Sequence, residues 1–89
     1  MVNMTEAVGA YLEAVLKRAH APRDAAVRIE LSGSEALSPK IDHARPDDAR
    51  LLHHGRTVLV LDARTSEYLD RSMLDVEETP DGPKLLVLQ

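Results

Sequence analysis

Val58, Leu59, Val60 and Leu61 are four consecutive aliphatic residues set between Arg56-Thr57 and Asp62. A strand with one face in water alternates apolar and polar side chains, so an unbroken run fits a central strand covered on both faces. The N-terminal helix is the natural first cover. With 89 residues in all, that requirement leaves room for one domain, residues 1–89, around one core. Domains this short bury a small share of their surface, and their stability is modest unless disulfides, metal or self-association help.

From Thr5 onward the apolar residues fall at Val8, Tyr11, Leu12, Val15, Leu16 and Ala19, the spacing that puts one stripe along an α-helix. Thr5 is placed to cap it, with Glu6 in the favourable first turn. Glu13 and Lys17 form an i,i+4 pair, Lys17, Arg18 and His20 suit the C-terminal end, and Pro22 ends the helix. Gly9 costs such a helix about 1 kcal/mol relative to Ala, so its presence marks either close packing against a neighbour or an indifferent exposed position.

Beyond the turn at Pro22 to Asp24, Val27, Ile29 and Leu31 alternate with Arg28 and Glu30, which predicts a strand with one face in the core. Ser32-Gly33-Ser34-Glu35 reads as a hairpin connection. Residues 36–43, with Pro39 unable to donate to a ladder, predict an edge strand or a bulge. Ala44 to Asp48 reads as a loop. Arg50 to His53 and Arg56 to Leu61 read as strands around a His54-Gly55 turn. Asp62 is placed to cap a short helix from Ala63 to about Leu69. Leu74 to Glu77, a turn at Thr79 to Gly82, and Lys84 to Leu88 supply the last two strands. The expected class is α+β: an N-terminal helix on a mixed, twisted set of six or seven short strands, with one short helix.

Cysteine is absent from the 89 residues. Within them this excludes disulfides, thiolate-held zinc, cysteine-held iron-sulfur clusters and thiol nucleophiles. Any metal must use His, Asp or Glu. Tyr11 and Tyr68 are the only aromatics, the net charge is −4, and Lys and Arg form no run, so no nucleic-acid partner is expected. The acidic C-terminal half reads as a solvated face. Met1 to Glu6 lack a basic start followed by an apolar run, and no stretch is long enough to cross a bilayer. The expectation is a cytoplasmic protein with no membrane partner.

The histidines are the most versatile side chains. His53-His54-Gly55 is the strongest local feature, although neighbours on a strand point to opposite faces and share one ion only if they lie in the turn. A metal site of His43, His53 and His54, with Asp42 or Asp47 added, is the expectation to test; solvent-facing turn positions are the competing reading. Asp75, Glu77, Glu78 and Asp81 read as an ionised outer face, since acid catalysis needs burial or a like charge to raise a pKa. Ser32-Gly33-Ser34 lacks the strand-turn-helix setting of a nucleophile or a phosphate loop. No spacing points to a catalytic triad, so no catalytic residue and no cofactor are expected.

Several segments together carry a family resemblance. They are Met4-Thr5-Glu6-Ala7 ahead of the helix, Ala26 to Leu31, and Arg56 to Asp62 followed by Ser66-Glu67-Tyr68-Leu69-Asp70 and Met73 to Glu77. In order and spacing the chain resembles the HesB-like family, the A-type (IscA-type) carriers linked to iron-sulfur cluster assembly, over almost its whole length. Members that carry a cluster have a cysteine in the turn after the first strand, matching Gly33 to Glu35 here, and a Cys-x-Cys in a tail that would begin at Gln89. Neither is present. The resemblance implies a related scaffold and a cysteine-free branch that does not carry a cluster by the family mechanism. The expected function is a non-enzymatic domain for protein interaction or self-association, with a homodimer as the expected assembly and no other partner named.

Overall fold

Asn3–Met4 (β1) begins the element order of the structure, a computed structural model that describes residues 2–31 and 37–88. Then follow Glu6–Arg18 (α1), Ala25–Leu31 (β2), Leu37–His43 (β3), Ala49–His53 (β4), Arg56–Leu61 (β5), Ala63–Tyr68 (α2), Met73–Thr79 (β6) and Gly82–Leu88 (β7). Two sheets result: four strands in the order β3-β2-β5-β4, and three in the order β1-β6-β7. Both are mixed, because β2 runs parallel to β5 and β1 parallel to β6, while every other pair is antiparallel.

β5 is central as its composition requires. It lies between β2 and β4, all four residues from Val58 to Leu61 are buried, and α1 and α2 both pack on it. Val8, Leu12 and Leu16 of α1 meet Val27, Ile29, Leu51, Leu59 and Leu61 in one core with Leu69 and Leu74. Thr5 caps α1, its hydroxyl accepting from the Val8 amide at 3.3 Å, and Asp62 caps α2 by accepting from the Thr65 amide at 2.7 Å. β3 is an edge strand in unbroken register with β2 from Ala25↔His43 to Leu31↔Leu37. Pro39 is tolerated at such an edge. The irregularity falls in β4, between Leu51 and Leu52.

Alternation misassigns β2, for Ala25 to Ile29 are all buried, Arg28 included. Its second face is covered by α2 and by the carboxylates of Asp42 and Asp48, which pair with Arg28. β1 carries no sequence signal, since two residues cannot display a period. It exists because β6 offers it an edge: Asn3 pairs with Met73 and Met4 with Leu74. The expected hairpin connection at Ser32 to Glu35 lies outside the described residues.

Candidate functional site

The β4–β5 hairpin turns through His54 and Gly55, both with positive φ, +50° and +80°. That is the pattern of a two-residue hairpin turn whose twist matches its strands. It also removes His54 from the alternation of β4. The His53 and His54 rings stack with centroids 3.9 Å apart and planes 24° from parallel.

His53, at the end of β4, is 6 % exposed. Its ring lies on α1 where Gly9 leaves room; a Cβ added there would sit 2.8 Å from His53 Cγ. Glu6, Gly9 and Glu13 are three and four residues apart, so they share one face of α1 and bracket the imidazole. His53 Nε2 is 2.8 Å from Glu6 Oε1. His53 Nδ1 is 3.9 Å from Glu13 Oε1 and, though buried, has no hydrogen-bond partner. His54 Nε2 lies 3.4 Å from the same Glu6 oxygen. The hydrogen bond and charge of His53, and then His54, hold the Glu6 carboxyl below its ordinary range.

His53, His54 and Glu6 present one ligand atom each, all within 4.8 Å of one another. His43 is elsewhere. It ends β3, at the opposite edge of the four-stranded sheet from β4, and its Nδ1 is 3.5 Å from Asp24. β2 and β5 intervene between the two edges, about 14 Å at ordinary strand spacing. Asp42, the carboxylate expected beside His43, is engaged by Arg28 at 2.9 Å and by Arg45 at 3.3 Å. Glu6 is the member of this trio that sequence reasoning missed. Its signal was the Glu6/Gly9/Glu13 stripe, legible on α1 but not assignable to a partner before the hairpin was placed.

The remaining candidates stay separate. Asp75 accepts from the Thr5 hydroxyl at 3.0 Å, and Glu77 and Glu78 are exposed. Ser32-Gly33-Ser34 lies outside the described residues.

No protein-family model matches the chain, and no curated protein does. Solved structures do. A crystal structure of IscA with the [2Fe-2S] cluster superimposes at TM-score 0.64 and 20% identity, over 98% of this chain and 83% of that one. Escherichia coli SufA, involved in biosynthesis of iron-sulfur clusters, gives TM-score 0.71 and 16% identity, over 97% of this chain and 82% of that one. The fold is that of IscA and SufA. Cysteine thiolates are the usual ligands of a [2Fe-2S] cluster, and these 89 residues contain none, so they do not fit a cysteine-held cluster. The one group of three ligand-type side chains among the described residues is Glu6, His53 and His54.

Proposed function

We propose that this chain is a non-enzymatic, IscA-like scaffold that associates with a second copy of itself through the free edge of β7, in the setting of iron-sulfur cluster assembly. The carrying observation is where its second aliphatic run lies. Leu85, Leu86, Val87 and Leu88 continue without a break, like Val58 to Leu61, but at the edge of the order β1-β6-β7. Leu85 and Val87 pack on the core with Val76. Leu86 and Leu88 stand opposite Asp75 and Met73 on the other face, and Leu88 and Met73 are exposed.

Edge strands are ordinarily blunted by Pro, Lys or a bulge. β3 has Pro39 and Lys40, and β4 has its register shift and Arg50. On β7, Pro83 and Lys84 guard only the first part of the strand, and among the described residues no strand pairs with its outer edge from Leu85 to Leu88. Antiparallel pairing of β7 with its own copy about a two-fold axis is self-complementary and covers that stretch. The assembly setting is supported by the shared fold alone.

Light scattering at micromolar concentration tests the association. A dimer that becomes monomeric in the Leu86→Lys, Leu88→Lys double variant supports it; a monomeric parent overturns it. Reconstitution with iron and sulfide without oxygen tests the scaffold reading, and a stoichiometric chromophore surviving desalting would sink it.

A further inference from the structure

The cluster at the β4–β5 turn goes beyond scaffold duty. We infer that Glu6, His53 and His54 form a binding site for a divalent transition-metal ion of the zinc class, with Glu13 as the carboxylate that orients His53.

The donor set comes first. Two imidazoles and one carboxylate suit zinc and its neighbours, whereas calcium and magnesium take oxygen ligands. Such a trio with one position left for water is the make-up of open zinc sites. The three ligand atoms lie within 4.8 Å of one another, and the two distances to Glu6 are near what a tetrahedral ion needs. Bonds of about 2.0–2.1 Å arranged tetrahedrally put ligand atoms about 3.3 Å apart. His54 Nε2 and Glu6 Oε1 are 3.4 Å apart. His53 Nε2 and Glu6 Oε1, at 2.8 Å, need open by only a few tenths of an ångström.

Partial preorganisation is the second observation. His53 is held by burial against Gly9, and the positive φ of His54 brings its ring to the same side, stacked on His53 with planes 24° apart. The exposed His54 ring turns out of that stack to aim its nitrogen at a shared ion. Glu6 and His54 are largely exposed, 76% and 72% at the side chain, so an ion can enter and its remaining positions face water.

Third is the stranded nitrogen. A metal-bound imidazole ordinarily donates its other N–H to a carboxylate, which fixes its tautomer. His53 Nδ1 is buried, has no partner, and faces Glu13 Oε1 from 3.9 Å. An ion on Nε2 places the proton on Nδ1, facing Glu13. Glu13 Oε1 is also 3.9 Å from Lys17 Nζ, so it is the approach of His54 that a bare Glu6–His53 ion pair leaves without a role.

The test is titration of protein prepared without a histidine tag, using zinc by calorimetry and cobalt by its visible absorption bands. Roughly one ion per chain is expected, with tetrahedral cobalt bands. His54→Ala and Glu6→Gln, both at exposed side chains, are expected to weaken binding at least about tenfold while the circular dichroism spectrum is kept. Glu13→Gln is expected to weaken it by about 10–100-fold. His43→Ala and His20→Ala are expected to bind as the parent does. Absence of stoichiometric binding at micromolar zinc overturns the site, and so does binding that His54→Ala and Glu6→Gln leave unchanged. Because β7 contributes no donor, association can fail with the site intact, and the site can fail with association intact.

Discussion

Arg28 donates to both carboxylate oxygens of Asp48, from Nη1 to Oδ1 at 3.1 Å and from Nη2 to Oδ2 at 2.5 Å. Arg28 is 1 % exposed and the Asp48 side chain 3 %. Arg28 Nε reaches Asp42 at 2.9 Å and Nη2 also reaches the His43 carbonyl at 3.0 Å. A strand face that should lie in water is instead closed over a satisfied guanidinium.

Removing one partner of a buried pair strands the other charge, at a cost of about 3–5 kcal/mol. Asp48→Ala is therefore expected to lower the urea midpoint far more than Asp42→Ala, whose carboxylate is partly solvated and whose loss water can replace. Comparable midpoints for the two variants would show that Asp48 does not anchor Arg28.

Acid should weaken the fold in a definite window. The Arg28 hydrogen bond holds the Asp48 carboxyl below its ordinary 3.8, and the Thr65 amide, as α2 cap, does the same for Asp62. For Asp42 the His43 amide is the main cause, followed by Arg28. A carboxyl whose folded pKa is depressed stabilises the fold fully above its unfolded value and loses that contribution as pH falls through the folded value. Thermal midpoints should accordingly hold on the neutral side of about pH 4 and fall below it. The fall should be shallower in Asp48→Asn, which has no carboxyl to protonate there; parallel curves for the two proteins would remove Asp48 from the account.

Gly9 offers a sign test. Alanine favours a helix over glycine by about 1 kcal/mol, yet a Cβ at residue 9 would meet His53 Cγ at 2.8 Å and Cβ at 3.1 Å. Gly9→Ala is expected to destabilise by about 1–3 kcal/mol, the usual range for overpacking. In a His53→Ala background the same change should become stabilising. A cycle of four urea unfolding curves measures the coupling, and additive effects would mean that Gly9 does not make room for the ring.

The scaffold was legible because its signals are local and redundant. The stripe from Val8 to Ala19, the run Val58 to Leu61 and the turn at Thr79 to Gly82 each specify an element without help from distant residues. Arg28 was not legible, because alternation reports one covered face and is silent about a second cover brought by α2 and by carboxylates 14 and 20 residues away. The site divided in the same way. His53 and His54 stand out by adjacency, and the positive φ of His54 in the turn is what keeps strand alternation from separating their rings. Joining His43 to them needs its strand to neighbour theirs, whereas strand order sets β3 and β4 at opposite edges. Glu6, 47 residues from His53, is brought in by packing of α1 on β4, which no local pattern encodes.

Thr5 joins the start of α1 to β6 through one hydroxyl, and its two roles can be separated. The oxygen accepts from the Val8 amide at 3.3 Å and donates to Asp75 Oδ1 at 3.0 Å, while the Thr5 amide donates to the Leu74 carbonyl at 3.0 Å. Thr5→Ser retains both side-chain contacts and should unfold within a few tenths of a kcal/mol of the parent; Thr5→Ala loses both and should cost about 1–2 kcal/mol. Thr5→Asp is the informative variant. Aspartate caps a helix as well as serine does, but it cannot donate, and it sets a second carboxylate against Asp75. It should therefore be less stable than Thr5→Ser at neutral pH, and an Asp75→Ala background should erase the difference. If the Asp and Ser variants match with Asp75 present, Thr5 acts as a cap alone and the tie to β6 rests on the backbone.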